Sequence, residues 1–256
     1  MPLLPILRRE ARGWRKWFAR SLDLFYPPSC AVCRVHLSHG RSLCEECHFD
    51  LPRLASPFCE QCGEAFPGHI DGPFDCPNCC KLKFSFDFAR PATVRDERTL
   101  GMIHRLKYAR ELHLVADLGR LAAEAFFDPR LAPALEGNWP LVPVPLHRKR
   151  LQHRHFNQAE EISKALAVHT GLSVLGALSR TRSTEHQTAL TRAQRMENLR
   201  GAFVITRSGR RWIGGNPAGA ILVDDVLTTG STVDECAKIL RRAGFQSVVV
   251  VTVMRG

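Results

Sequence analysis

The sequence contains no apolar run approaching the ~20 residues that a transmembrane helix needs, so it predicts no membrane span. It also lacks the order of a secretory signal, because arginines follow the short, proline-interrupted apolar start instead of preceding it. Export is therefore not expected, and the expected location is the reducing cytoplasm. The 256 residues are 45% hydrophobic and 24% charged, which predicts a folded globular protein and excludes a disordered chain.

Basic charge is concentrated in two segments of the chain. The net charge of +11 comes from residues 1–25 and from residues 147–211, where 13 Lys+Arg face 4 Asp+Glu. In residues 1–25, aromatic and leucine side chains recur at helical spacing between arginines. This pattern predicts a basic amphipathic helix, which either packs on the protein or lies on a membrane surface.

Nine of the ten cysteines lie between Cys30 and Cys80, mostly in C-x2-C pairs. Tetrahedral zinc needs four thiolates, and two such pairs supply them. A disulfide framework is the alternative, which the missing export signal disfavours. We therefore predict one or two structural zinc ions. The predicted ligands are Cys30, Cys33, Cys44, Cys47, Cys59, Cys62, Cys76 and Cys79.

The cysteine spacing leaves the pairing order open between a sequential arrangement and a cross-brace. Cys79 and Cys80 compete for one ligand position. Less favoured substitutes for a thiolate are His36, His39, His48 and His69. Little apolar sequence separates the pairs, so metal binding should supply much of this segment's folding energy. Catalytic zinc is not expected, because four thiolates leave no open coordination position.

Beyond residue 90, helical and strand patterns alternate. Apolar residues at helical spacing predict a long or broken helix over residues 100–127 and a later helix that ends at Gly171. Strand patterns cover residues 141–145, 219–223 and 247–253, and a helix over residues 231–243 separates the last two. That order predicts a right-handed parallel crossover. The predicted fold class is α/β, a parallel sheet flanked by helices after a small cysteine-rich domain.

The strongest chemical signal is the segment ILVDDVLTTGST at residues 221–232. Asp224 and Asp225 follow an apolar strand, and a small hydroxyl-rich loop then opens a helix. The loop, called the phosphate loop below, comprises Thr228, Thr229, Gly230, Ser231 and Thr232. Its backbone N–H groups and hydroxyls can surround one anion at a helix start. The two acids can accept hydrogen bonds from sugar hydroxyls or hold a cation, so one ligand with phosphate, ribose and metal is predicted.

This segment resembles the phosphoribosyl pyrophosphate (PRPP) signature of type I phosphoribosyltransferases. Similarity to the ComF family, the competence protein F-like phosphoribosyltransferases, extends to residues 142–159, residues 180–203 and Leu106-Lys107-Tyr108. Residues 22–28 are also similar, so the resemblance covers most of the chain. The predicted domains are a basic amphipathic N-terminal segment (1–25), a double zinc ribbon (26–90) and a phosphoribosyltransferase-like domain (91–256).

The resemblance implies that Asp224 and Asp225 contact the ribose hydroxyls, that the phosphate loop binds the 5-phosphate, and that Mg²⁺ accompanies PRPP. Pyrophosphate needs positive neighbours, which the basic segment supplies. The predicted PRPP-binding basic residues are Arg148, Lys149, Arg150, Arg180 and Arg182, with Arg154, Arg192 and Arg195 as further candidates. One departure from the family pattern is His155, where glycine is expected before Phe-Asn-Gln.

Three functional hypotheses follow. The first is phosphoribosyl transfer from PRPP to an unidentified acceptor, for which no general base can be assigned. The second is a competence factor that binds single-stranded DNA, linked to natural transformation and to other competence proteins. It ranks lower because only Phe156 and Phe203 could stack on bases within residues 147–211. The third is a PRPP-sensing regulator without turnover.

Overall fold

The computed structural model describes residues 28–37, 41–66, 68, 76–79, 82–182, 192–215 and 217–256. The amphipathic helix predicted for residues 1–25 lies outside these ranges. The chain forms two compact units, Met1–Asp50 and Leu51–Gly256. Within the described ranges, no helix combines the length and the apolar character that a membrane crossing requires. The domain boundary at residue 90 remains a prediction about independent folding.

Helices and strands alternate through the second unit. The first unit contains one described helix, α1 (Glu45–Asp50). The α-helices of the second unit are α2 (Glu97–His104), α3 (Val115–Ala123), α4 (Ala132–Glu136), α5 (Arg148–Arg154), α6 (Gln158–Thr170), α7 (Arg192–Leu199), α8 (Arg207–Ile213) and α9 (Ser231–Ala243). The strands are β1 (Ala89–Thr93), β2 (Leu141–Pro143), β3 (Leu178–Arg180), β4 (Phe203–Ile205), β5 (Gly219–Leu227) and β6 (Ser247–Arg255).

Four parallel strands form the main sheet in the order β1-β6-β5-β2. The central strands β5 and β6 are almost continuously apolar, as expected where helices cover both faces of a parallel sheet. Pro91 lies in β1, at the edge, where a missing N–H is tolerated. The predicted α/β fold class is thus confirmed, including the parallel crossover from β5 through α9 to β6.

Helix α9 shows how the sequence determines packing on this sheet. Val233, Cys236, Ala237 and Leu240 follow the i, i+3, i+4, i+7 pattern of one helix face, and all four are buried in the core cluster beside β5 and β6. The helix ends at Gly244, whose φ of +116° is accessible to glycine. The boundaries predicted for this helix are confirmed. Cys236 belongs to the core, where the buried thiol fills space between helix and sheet.

The connections after β2 and β5 leave the sheet in opposite directions. From β5, the chain passes through α9 to β6. From β2, it passes through α5 and α6 to residues 173–175, which run beside Leu141 on the other side. Parallel sheets bind ligands at such a switch point, outside the carboxyl ends of the strands. The crevice between the ends of β2 and β5 is therefore the position at which this rule predicts a ligand.

Three local features add detail to the sequence expectation. Residues 97–127 form a broken helix, which is one of the two predicted forms: a π-helical turn (Arg105–Ala109) and a 3₁₀ turn (Leu112–Leu114) separate α2 from α3. Residues 148–154, which carry four of the predicted basic residues, form α5. This helix ends at His155, which adopts a φ of +69°. That left-handed conformation explains why glycine is expected there, and the histidine adopts it nonetheless.

Candidate ligand site and cysteine sites

The eight predicted zinc ligands come together as two sets of four. The first cysteine site comprises Cys30, Cys33, Cys44 and Cys47, and the second comprises Cys59, Cys62, Cys76 and Cys79. Within each set, the sulfur atoms all lie within 4.8 Å of one another. The pairing is sequential, and Cys79 occupies the contested position, while Cys80 lies outside the described residues. Among the described histidines, neither His36 nor His48 belongs to a set.

The sulfur separations fit tetrahedral zinc. Zn–S bonds of about 2.3 Å place neighbouring sulfurs about 3.8 Å apart. The observed distances are 3.7 Å between Cys33 and Cys44 and 3.5 Å between Cys59 and Cys79. A disulfide needs about 2.05 Å, so these are separate thiols. The two four-cysteine sites are consistent with one or two structural zinc ions.

The two neighbouring acids lie within the carboxyl-terminal half of β5 and face different surroundings. Successive side chains of a strand point to opposite faces of a sheet. Asp224 lies within electrostatic reach of Cys236 on α9 and of Arg180 on β3. Burial, and then the adjacent Asp225 carboxylate, raises the pKa of Asp224 well above its usual value, although Lys107 opposes this. The surroundings of Asp224 therefore disfavour the charged form of its carboxyl group.

Asp225 forms an ion pair with Lys107. Its side chain is 5% exposed, and that of Lys107 is 18% exposed. Lys107 lies in the π-helical turn, and such turns are frequent at functional sites. The sequence analysis did not predict this role of Lys107 and used the residue only as part of a family motif. The available signal was a lysine next to the apolar Leu106.

The phosphate loop has the backbone of an anion cradle. Gly230 adopts a φ of +77° and directly precedes α9, so the loop and the first turn of the 13-residue helix are continuous. The hydroxyls of Thr229 and Ser231 lie 3.0 Å apart, and the Ser231 N–H donates to the Thr229 hydroxyl over 3.4 Å. N–H groups at the start of a long helix favour a phosphate.

Arg255 supports the phosphate loop through hydrogen bonds, and the sequence analysis did not predict this role. Its Nη1 donates to the carbonyl oxygens of Leu227 and Thr228 at 2.6 and 2.7 Å. The residue is 6% exposed at the end of β6. Because both carbonyls are satisfied by one guanidinium, the entrance to the phosphate loop is held in place. The sequence signal that could have revealed this role is a charged residue at the end of an otherwise apolar strand.

The predicted basic residues are distributed around the crevice. Arg148 and Lys149 are exposed at the start of α5. Arg180 is 9% exposed, and residue 147 bridges to it beside β2. Burial, and then neighbouring Arg150, lowers the pKa of Arg180, while Asp224 opposes this. Two guanidiniums held this close would be stabilised by an anionic ligand.

The remaining basic candidates divide into two cases. Arg182 is exposed and donates to the Arg200 carbonyl at 3.0 Å, next to the antiparallel pair of β3 and β4. The side chains of Arg192 and Arg195 lie outside the described part of the chain.

A cavity of about 430 Å³ opens beside these basic residues. The loop after β2, helix α6 and strand β3 form its walls, with Leu146, Asn157 and Leu178 among the lining side chains. Arg148 and Arg180 also line it. The acids and the phosphate loop are not among the described residues that line this cavity. It therefore adjoins the crevice without containing it.

Comparisons with known proteins agree with this arrangement. Residues 21–81 match the family model of the double zinc ribbon domain. The chain is 32% identical to the DNA utilization protein YhgH of Escherichia coli K12, over 89% of this chain and 96% of that protein. It is 28% identical to Competence protein F of Haemophilus influenzae, over 88% and 96%. Competence protein ComFC of Streptococcus pneumoniae is 25% identical, over 78% and 88%.

A parallel α/β sheet of the type I phosphoribosyltransferase kind, preceded by a double zinc ribbon, defines the class of this protein. The relatives named above match between 78% and 89% of this chain, and their names refer to competence or to DNA utilization. Within that class, the chain belongs to the ComF (competence protein F-like) family.

Proposed function

We propose that the chain binds PRPP with Mg²⁺ in the crevice between β2 and β5 and transfers its phosphoribosyl group to an acceptor, in the service of DNA uptake or utilization. The observation that carries the proposal is the acid pair, Asp224 and Asp225, followed by the phosphate loop at the topological switch point. The names of the relatives support the cellular context, since they describe competence and DNA utilization.

Each group of residues in the crevice has its own role in the proposed transfer of the phosphoribosyl group. The phosphate loop holds the 5-phosphate, and the acid pair accepts hydrogen bonds from the ribose hydroxyls. Pyrophosphate leaves the anomeric carbon with the bonding electrons, and a lone pair of the acceptor forms the new bond. Arg148, Lys149 and Arg180 stabilise the charge that develops on the leaving group. Asp224 also stabilises the positive charge that develops on the ribosyl ring.

The donor set of the crevice suits Mg²⁺. Carboxylate and hydroxyl oxygens are the hard ligands this ion prefers, and it usually keeps waters and substrate phosphates in its shell. Asp224 would offer a carboxylate oxygen, whereas Asp225 is engaged by Lys107. When bound, the ion neutralises charge on the pyrophosphate.

Calorimetric titration of Mg·PRPP into the full chain tests the proposal. Gly230→Ala should lower affinity at least ~10-fold, because a side chain at a φ of +77° strains the loop and meets Phe84 at 3.2 Å. Gly171→Ala is the matched control, since its φ of +73° is similar and no atom lies within 4 Å of the added carbon. Equal affinity in both variants, or no binding by the wild type, would contradict the proposal. Release of pyrophosphate with added acceptors separates a transferase from a sensor.

Single-stranded DNA binding is a second candidate function, favoured by one surface. The Tyr108 ring is 71% exposed, and the Arg154 guanidinium lies over it at 5.5 Å. Arg110 is exposed nearby and donates to the His153 carbonyl at 2.7 Å. An exposed aromatic ring among arginines can stack on bases while the cations contact phosphates. The sequence did not reveal this because Tyr108 lies outside the basic segment.

Tyr108→Ala should weaken binding of an oligothymidylate by about 5- to 50-fold, the usual value of one stacked base. Phe127→Ala is the control, because Phe127 is also an exposed aromatic side chain, at 85% exposure. Fluorescence anisotropy at several salt concentrations measures both affinity and its steep dependence on salt. The DNA hypothesis fails if the two variants behave alike or if binding does not respond to salt.

A further inference from the structure

The buried guanidinium of Arg255 connects the second cysteine site to the phosphate loop. Besides donating to the carbonyls of Leu227 and Thr228, Arg255 places Nη2 2.5 Å from Oε2 of Glu64. Glu64 belongs to the turn that carries two metal ligands, since its carbonyl accepts the Cys59 N–H at 2.8 Å. One side chain therefore extends from the metal-binding turn to the first peptide of the phosphate loop.

Phe84 makes a second, apolar connection between the same two places. Its ring packs against the cluster formed by Cys62, Cys76 and Cys79. A β-carbon built on Gly230 would lie 3.2 Å from that ring, so the ring adjoins the centre of the loop. A displacement of the second cysteine site would therefore change the packing of the Phe84 ring against Gly230.

A third connection joins the irregular segment after Cys79 to the helix that begins at the loop. Asp234, in the first turn of α9, is 1% exposed and accepts the Ser85 N–H at 2.6 Å. Arg241 on the same helix donates from Nε to the Ser85 carbonyl at 3.1 Å. The segment leaving the second cysteine site is thus fixed along α9.

We propose that the second cysteine site positions the phosphate loop, so that affinity for a 5-phosphate depends on that site being formed. Glu64, Phe84 and Arg255 are the positioning residues. The inference rests on the proposed function, because it concerns the same loop. If the four thiolates of this site lose their metal, the turn that holds Glu64 and the surface that supports Phe84 are released together. Affinity for pyrophosphate alone, which meets the basic residues instead, does not depend on the link.

Glu64→Gln in the full chain should separate the affinity for a 5-phosphate from the affinity for pyrophosphate. It should weaken binding of ribose 5-phosphate and of Mg·PRPP by about 5- to 10-fold, and leave pyrophosphate unchanged. Phe84→Leu should act in the same direction. Glu60→Gln is the matched control, because Glu60 is exposed on the same turn and loses the same charge. Calorimetry gives the affinities, and metal analysis of each variant confirms an unchanged zinc content.

The outcomes distinguish this inference from the proposed function. The positioning role is overturned if Glu64→Gln and Phe84→Leu leave the affinity for ribose 5-phosphate unchanged. It is also overturned if these variants weaken the binding of ribose 5-phosphate, Mg·PRPP and pyrophosphate equally. If the wild type binds none of the ligands, the proposed function fails, and hydrogen exchange decides the inference separately. Faster exchange of the amides of residues 228–232 in Glu64→Gln, but not in Glu60→Gln, supports the link. Equal exchange in the two variants refutes it.

Discussion

Replacing Asp224 by Asn is expected to weaken Mg·PRPP binding by about 100-fold, because a hydrogen bond from a ribose hydroxyl to a charged acceptor and a carboxylate ligand for Mg²⁺ are both lost. The same replacement should raise the melting temperature of the unliganded protein at neutral pH. Burial and the neighbouring Asp225 charge raise the pKa of Asp224, so ionised Asp224 destabilises the fold. Asparagine removes that charge and keeps an oxygen for the Asp225 N–H, which Asp224 Oδ1 accepts at 2.9 Å.

The pH dependence of this effect has a definite sign. Below the unfolded-state pKa of about 3.9, Asp224 is protonated in both states and contributes nothing to the difference. As the pH rises from there through the raised native-state pKa, the folded protein binds more protons than the unfolded chain, and its stability falls. The stability advantage of Asp224→Asn over the wild type should therefore grow with pH and vanish in acid. Thermal unfolding between pH 5 and 8 measures this, at about 2–4 °C per kcal/mol.

Asp225→Asn supplies the contrasting variant. Its carboxylate is paired with Lys107, so the replacement leaves a mostly buried cation without its counter-charge. We expect a loss of about 2 kcal/mol of unfolding free energy, less than for a fully buried pair because Lys107 keeps 18% exposure. Both variants should lose PRPP binding, yet their melting temperatures should move in opposite directions. Melting shifts of the same sign would contradict the assigned environments of the two acids.

The parts of the fold that sequence predicted are those governed by local signals. Helix α9 begins at Ser231, directly after Gly230, and ends directly before Gly244, so both signals lie next to the ends of the helix. The run of valines in β6 predicts a buried strand without knowledge of its neighbours. The acids and the phosphate loop form one contiguous motif, so their proximity required no tertiary information.

The contacts that sequence did not predict join distant segments. Lys107 pairs with Asp225, and Arg255 pairs with Glu64, although the partners of each pair are far apart in the sequence. Nothing in the local pattern of either partner specifies the other, because only the folded structure brings Lys107 and Glu64, which lie outside the main sheet, next to residues of β5 and β6. Strand β1 was missed for a related reason, since Pro91 suits only an edge position and the edge is a property of the assembled sheet.

The first cysteine site should be the main source of stability for residues 28–50. Leu43 is the only large aliphatic side chain that is fully buried among the described residues of this unit. Backbone N–H groups of Cys44 and Cys47 point at the sulfurs of Cys30 and Cys44 over 3.4 Å, which supports thiolates ready for a metal. Zinc binding to such sites contributes about 10–16 kcal/mol in small domains, more than one leucine can supply.

Cys30→Ala should therefore unfold residues 28–50 while leaving the sheet folded. The amides that close its turns, including those of Ala31, Leu37 and His48, should lose their protection in hydrogen exchange measured by mass spectrometry. The amides of β5 and β6 should stay protected, because that sheet has its own core within the second unit. Cys236→Ala, which removes a thiol that is not a ligand, should keep both the zinc content and the protection of residues 28–50. If Cys30→Ala loses zinc yet keeps these amides protected, the unit is stabilised by its side chains and not by its metal.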